Sequence, residues 1–174
     1  VTSPYISIII PVLNEAQTLG ETLSSLPGDP DLEVIVVDGG STDDTLAVAA
    51  RFPSVQVLAA PRGRGSQMNV GALASSGELL VFLHADTLLT EDHLQALRRV
   101  RADPAFAGGA FELALRPPVP VLRLIAWGAN RRARLFGLPY GDQVLIIRRP
   151  LFFSLGGFAR RRPEDLDLVL RLKG

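Results

Sequence analysis

Leu79-Leu80-Val81-Phe82-Leu83-His84-Ala85-Asp86-Thr87 is the stretch that decides the fold. A short apolar run stops at a carboxylate. Ser75-Ser76-Gly77-Glu78 bounds it on one side and Asp86-Thr87 on the other. A run of that length between turn residues reads as a strand buried on both faces. Such a strand presents a carboxylate rigidly at its C-terminal end, and in open α/β sheets that edge is where ligands bind. The stretch therefore places Asp86 at the centre of a diphosphate and metal site.

Upstream, the pattern repeats. Ile6-Ser7-Ile8-Ile9-Ile10 is a β-branched run closed by Pro11, a first strand. Asn14, with Gln17 three residues on, predicts a capped helix from Glu15 to Leu26. Glu33 to Val37 is a second buried strand, ending in Asp38-Gly39-Gly40-Ser41-Thr42-Asp43-Asp44. Ser41 is placed to cap a helix running to about Phe52, before Pro53. Val55 to Leu58 is a third, shorter strand. Pro61-Arg62-Gly63-Arg64-Gly65-Ser66-Gln67 is a basic, glycine-rich loop, and Met68 to Ser75 a helix. After Asp86, Thr90 caps a helix with Glu91 and Asp92 at its start and Arg98, Arg99 and Arg101 at its end, the order the helix dipole favours.

Alternating strands and helices imply a mostly parallel sheet covered by helices on both faces. The second half is less regular. Phe106 to Leu115 reads as a strand, Val121 to Phe136 as an arginine-bearing helix, Gly137 to Gln143 as a loop, Val144 to Ile147 as a strand and Glu164 to Leu172 as a final helix. The expected organisation is one domain over 1–174, with a nucleotide-binding half at 1–103 and a half for the second substrate at 104–174.

Composition narrows the function. The 174 residues, 47% hydrophobic, suffice for one domain with a sizeable core. Eighteen basic and eighteen acidic residues cancel, which removes the whole-chain electrostatic case for nucleic acid. The absence of cysteine excludes disulfides and thiolate metal sites and fits a cytoplasmic protein. The apolar runs are too short for a transmembrane segment, and Val1-Thr2-Ser3-Pro4 lacks the pattern of a signal peptide. The arginine-bearing helix leaves room for peripheral contact with anionic lipid, although a solvated face accounts for it as well.

Three acids follow predicted strands: Glu15, Asp38 and Asp86. In a parallel sheet all three fall on one edge. Each alone would suit a helix cap; together they suit a nucleotide, accepting hydrogen bonds from base or ribose and holding a divalent cation against a diphosphate. Arg62, Arg64 and the backbone of the basic loop, with Gln67, are placed to meet phosphates, or to form a plain solvated turn. His84 and Asp86 share one side at period-two spacing, so both could touch a metal, with a structural hydrogen bond the simpler role for His84. Glu164-Asp165 supplies a candidate general base, at a position where acids are also favoured by the helix dipole. Gly141-Asp142-Gln143 could bind the second substrate or form an ordinary turn.

The ordered set Ile8-Ile9-Ile10-Pro11-Val12-Leu13-Asn14-Glu15, Val36-Val37-Asp38-Gly39-Gly40-Ser41-Thr42-Asp43, Asn69-Val70-Gly71-Ala72, Phe82-Leu83-His84-Ala85-Asp86-Thr87 and Glu164-Asp165 resembles the inverting family 2 glycosyltransferases of the GT-A fold. The combination of His84-Ala85-Asp86-Thr87 with Gly141-Asp142-Gln143 resembles a bacterial subgroup of soluble, uncharacterised members. The resemblance implies a Rossmann-like three-layer α/β sandwich with a mixed acceptor-side half. It implies a hexosyltransferase-like activity with a UDP- or GDP-linked sugar donor, a hydroxyl acceptor and Mn²⁺ or Mg²⁺. By position, Pro11, Asn14, Glu15 and Asp38 would hold the nucleoside. Asp86 would be the second acid of the family's D-x-D signature, where His84 stands in place of the first. Asp165, beside Glu164, would be the base. The family usually continues past this acidic pair, so a further C-terminal segment covering the acceptor is expected.

Two other functions fit part of the pattern. A sugar-nucleotide nucleotidyltransferase uses a similar sheet, but a phosphate loop would stand where Pro11-Val12-Leu13-Asn14-Glu15 is found. A catalytically inactive nucleotide-sugar-binding module would tolerate His84 but has no use for Asp165.

Overall fold

The structure is a computed structural model that describes residues 5–101, 103–111, 144–159 and 164–173. Its strands among the described residues are β1 (Ile6–Val12), β2 (Leu32–Asp38), β3 (Val55–Ala59), β4 (Leu79–Phe82), β5 (Gly108–Ala110) and β6 (Leu145–Arg148). Its helices among the described residues are α1 (Leu19–Ser24), α2 (Thr45–Ala49), α3 (Arg64–Ala74), α4 (Glu91–Arg101), α5 (Arg149–Ser154) and α6 (Glu164–Lys173).

The strands form one sheet in the order β3-β2-β1-β4-β6-β5. β1 pairs in parallel with both β2 and β4, and β2 with β3. β6 runs antiparallel to both β4 and β5. The mostly parallel α/β sheet expected from the sequence is therefore present, with its irregular strand in the second half.

The apolar runs explain the layers. Ile8, Ile9 and Ile10 are each 0% exposed, so consecutive side chains are buried on opposite faces. On one face Ile8, Ile10, Val36 and Val81 pack with Leu19 and Leu23 of α1, Val48 of α2 and Leu94 and Leu97 of α4. On the other, Ile9, Ile35, Leu80 and Phe82 pack with Met68 and Ala72 of α3, Phe152 of α5 and Leu168 and Val169 of α6. Each fully buried isoleucine contributes about 2 kcal/mol of hydrophobic free energy. Phe82 joins the strand to the second layer through ring contacts with Phe152 at 5.2 Å and Phe158 at 4.8 Å. α3 lies close against the sheet at Gly71, where an added Cβ would stand 2.5 Å from Ile9 Cγ2.

Several boundaries differ from the sequence reading. β1 runs through Pro11 to Val12. Ile9 C=O accepts from Leu83 and Val12 C=O from Gly39, so the missing N–H of Pro11 faces the β4 side, where pairing has already ended at Ile9 and Phe82. β4 itself stops at Phe82, and Leu83 to Asp86 form the turn beyond it. α1 begins at Leu19 and α2 at Thr45, later than expected, because Asn14 and Ser41 bond to each other's loops instead of capping helices. α3 begins earlier, at Arg64, so Arg64 and Gln67 sit in a helical first turn. α5 was not anticipated; Pro150 sits in its first turn, where a proline is tolerated. The described part of the strand expected over Phe106 to Leu115 is Gly108–Ala110. The helix expected over 121–136 and the loop over 137–143 lie outside the described residues.

Candidate functional site

The C-terminal ends of β1 and β2 lead into loops that are laced together. Asn14 adopts φ 58°, a left-handed conformation that asparagine tolerates better than most residues. That turn aims three successive amides at the second loop. Asn14 N–H donates to Ser41 Oγ at 2.9 Å, Glu15 N–H to Thr45 Oγ1 at 2.8 Å and Ala16 N–H to Asp43 Oδ2 at 3.1 Å. In return Thr42 N–H donates to Asn14 Oδ1 at 2.8 Å. The Asn14 side-chain oxygen is thus engaged with the neighbouring loop.

Asp38 is 6% exposed. Its carboxylate accepts from Gly40 N–H at 3.0 Å, Ser41 N–H at 3.0 Å and the Ser41 hydroxyl at 2.5 Å. It holds its own loop in shape. Asp43 accepts from the Thr45 hydroxyl and from Thr45 N–H, as well as from Ala16. The Thr45 hydroxyl chiefly, and these amides, hold its carboxyl below the ordinary aspartate range.

A cleft of about 280 Å³ opens beside these loops, lined by Pro11, Glu15, Arg62, Arg64, His84 and Asp86 among others. Gln67 lies at its inner wall, 3% exposed. Its side-chain N–H groups donate to Val12 C=O and Val37 C=O, both at 2.8 Å, so it ties the ends of β1 and β2 together. Glu15 is steadied by the Thr18 hydroxyl, which donates to its Oε2 at 2.7 Å. The Asp86 carboxylate is exposed and has one weak contact, the Thr87 hydroxyl at 3.3 Å. His84 is half-buried, and its ring has no hydrogen-bond partner among the described residues.

Of the residues singled out from sequence, the cleft gathers Pro11, Glu15, Arg62, Arg64, Gln67, His84 and Asp86. Asn14 and Asp38 are not in its lining and bond the loops beside it. Glu164 and Asp165 open the first turn of α6, but their side chains lie outside the described residues, as do Asp142 and Gln143. Ser41, Asp43, Thr45 and Thr18 were not singled out as site residues. The density of Ser, Thr and Asp in Ser41-Thr42-Asp43-Asp44-Thr45 was the available signal, since such side chains readily bond backbone amides.

The family model for glycosyl transferase family 2 matches residues 7–114, spanning both loops and the cleft turn. The chain belongs to glycosyl transferase family 2. An uncharacterized glycosyltransferase of Mycobacterium tuberculosis is 30% identical over 95% of this chain and 78% of its own length. A PGL/p-HBAD biosynthesis glycosyltransferase of Mycobacterium bovis is 38% identical over 91% of this chain and 65% of its own. Among solved structures, a mannosyltransferase from Pyrobaculum calidifontis in complex with GDP-Man and Mn²⁺ superposes with a TM-score of 0.73 at 25% identity, covering 95% of this chain. The chain spans 50% of that protein. Glucosyl-3-phosphoglycerate synthase from Mycobacterium tuberculosis, with Mn²⁺, UDP and phosphoglyceric acid, shares the fold at a TM-score of 0.71 and 22% identity. The fold is accordingly GT-A.

Within this family 2 chain the donors for a metal are sparse. Among the described residues no group of three or more His, Asp or Glu side chains is arranged to hold an ion. Asp86 offers a free carboxylate and His84 an imidazole. That donor set fits a hard divalent cation bound through one carboxylate, with substrate phosphates and water as its other ligands. No helix among the described residues is long and apolar enough to cross a membrane.

Proposed function

We propose that this chain moves a sugar from a nucleoside-diphosphate sugar, UDP- or GDP-linked, to an acceptor hydroxyl, with inversion at the anomeric carbon. The observation that carries the reading is the cleft. It sets an acid fixed by Thr18, two arginines and the Asp86 carboxylate around one opening at the C-terminal edge of a parallel sheet. Solved relatives of the same fold hold GDP-Man with Mn²⁺ or UDP with Mn²⁺.

In this reading Pro11 and Glu15 meet the nucleoside, and the loops held by Asn14 and Asp38 shape that end of the cleft. Arg62 and Arg64 face the phosphates. Mn²⁺ or Mg²⁺, held by Asp86 with His84 beside it, would neutralise charge on the departing diphosphate. Asp165, with Glu164, takes the proton from the acceptor hydroxyl. That oxygen attacks the anomeric carbon from the side opposite the diphosphate, and a single in-line displacement inverts the centre. Residues 1–103 serve the donor and 104–174 the acceptor.

The test is calorimetric titration of UDP and of GDP, each with and without Mn²⁺, on this chain and on Asp86→Ala. One nucleotide should bind, more tightly with Mn²⁺, and the Mn²⁺ effect should vanish in Asp86→Ala. Absence of binding by both nucleotides in every condition overturns the donor site.

A further inference from the structure

Thr22 lies inside α1 and is 0% exposed. A threonine within a helix commonly returns its hydroxyl to the carbonyl four residues back. Thr22 instead donates to the carbonyl oxygen of Ala85 at 2.6 Å, a contact between residues 63 apart in sequence. Ala85 is the residue between His84 and Asp86. Its methyl is buried, 4% exposed, in the core layer that holds Leu83 and Leu89. Thr87 N–H donates to His84 C=O at 3.2 Å and closes the turn. Ala85 is therefore tied inward by both its side chain and its carbonyl, and the three consecutive residues His84, Ala85 and Asp86 line the cleft.

Thr18 stands four residues before Thr22, on the same face of that helical segment. Its hydroxyl holds the Glu15 carboxylate. One short face thus reaches two parts of the cleft lining: Thr18 bonds Glu15, and Thr22 bonds the turn that carries Asp86.

We infer that Thr22 is a positioning residue for the divalent-cation and diphosphate site, acting through the Ala85 carbonyl on Asp86. The inference rests on the donor-site reading above. A cation that draws few ligands from the protein depends strongly on how the one carboxylate is presented, and partners that orient a ligand typically change metal affinity by about 10- to 100-fold. A threonine that merely filled the core would influence nucleotide binding with and without metal alike.

The experiment measures UDP and GDP affinity with Mn²⁺ and with EDTA, on the wild type, Thr22→Val, Thr22→Ser and Asp86→Ala, with thermal unfolding to show that each folds. Thr22→Val keeps the shape and removes the donor. It should reduce the Mn²⁺-induced tightening by about tenfold or more, and leave affinity in EDTA unchanged. Thr22→Ser keeps the hydroxyl and should keep the tightening. Combining Thr22→Val with Asp86→Ala should lose nothing beyond Asp86→Ala alone, because both act on one contact. Should Thr22→Val fail to fold, Thr22→Ala takes its place with the same expectation. Equal weakening in Mn²⁺ and EDTA, no weakening, or a loss in Thr22→Ser as large as in Thr22→Val overturns the inference. Nucleotide binding by the wild type that ignores Mn²⁺ instead overturns the metal-site reading, and this inference with it.

Discussion

At the scale of single residues, Asp43 and Gly71 make opposite demands on their neighbours. Asp43 is an exposed acid whose carboxylate is covered by donors from two loops. Held below its ordinary pKa by the Thr45 hydroxyl first, it adds stability above its unfolded value of about 3.9, and that contribution is lost as pH falls through the lower folded value. The backbone amide signals of Ala16 and Thr45 should therefore titrate together in an NMR pH series, with a midpoint below 3.9 or so. A midpoint at or above that value would remove Asp43 as the link between the loops. Gly71 faces the reverse problem, since its missing side chain is what lets α3 touch β1 and β2. A Cβ there would meet Ile9 at 2.5 Å and Val37 at 3.0 Å. Alanine gains about 1 kcal/mol in helix propensity over glycine, but overpacking costs about 1–3 kcal/mol. Gly71→Ala should lower the urea midpoint, because Ile9 and Val37 are branched side chains packed in the core. A raised midpoint would mean that propensity wins and the contact yields.

At the scale of elements, Asn69 of α3 and Arg171 of α6 clasp the turn after α5 from two sides. Asn69 Nδ2 donates to Phe158 C=O and its Oδ1 accepts from Phe158 N–H, both at 2.9 Å. Arg171 donates to Gly157 C=O at 2.7 Å and to the Leu155 carbonyl, and pairs with Asp167 at 2.6 Å. Gly157, at φ 70°, leaves room for the Asn69 oxygen, which a Cβ would approach to 2.7 Å. Asn69→Ala removes both halves of the paired contact and should lower stability by about 1–3 kcal/mol, with faster hydrogen exchange at Phe158. Unchanged exchange there would show that Arg171 alone holds the turn. This clasp also marks the limit of what the chain reveals unaided. The strands were legible because unbroken runs such as Ile8 to Ile10 and Leu79 to Phe82 have only one comfortable environment. The starts of α1 and α2 were not, because Asn14 and Ser41 have the chemistry of caps. Their partners are instead each other's loops, about 27 residues away. No local pattern distinguishes a side chain that caps its own helix from one that laces two loops.

At the scale of the molecule, the cleft and the acidic pair come from opposite halves of the chain. The gathering of the cleft residues was legible because strand ends in a parallel sheet converge on one side. Pro11, Glu15, His84 and Asp86 do meet there. Gln67 and Asp38, expected from sequence to contact the ligand, also bond groups of the same edge, and that part of their role no local pattern displays. In the proposed function the acidic pair supplies the base, and it yields the sharpest prediction. α6 carries Glu164 and Asp165 in its first turn while Leu168 and Val169 anchor it to the sheet. Asp165→Asn keeps the size of the side chain and removes its basicity. If Asp165 takes the acceptor proton, turnover should fall by about 10²- to 10⁴-fold, while UDP or GDP affinity with Mn²⁺ stays at the wild-type value. Water can serve as the acceptor, so release of nucleoside diphosphate from the donor sugar provides the readout. Loss of both turnover and nucleotide affinity would make Asp165 part of the donor site. Wild-type turnover in Asp165→Asn would move the base elsewhere, with Glu164→Gln the next variant to test. A donor that binds with Mn²⁺ and is turned over by neither the wild type nor any variant would mark the chain as a nucleotide-sugar-binding module built on a transferase fold.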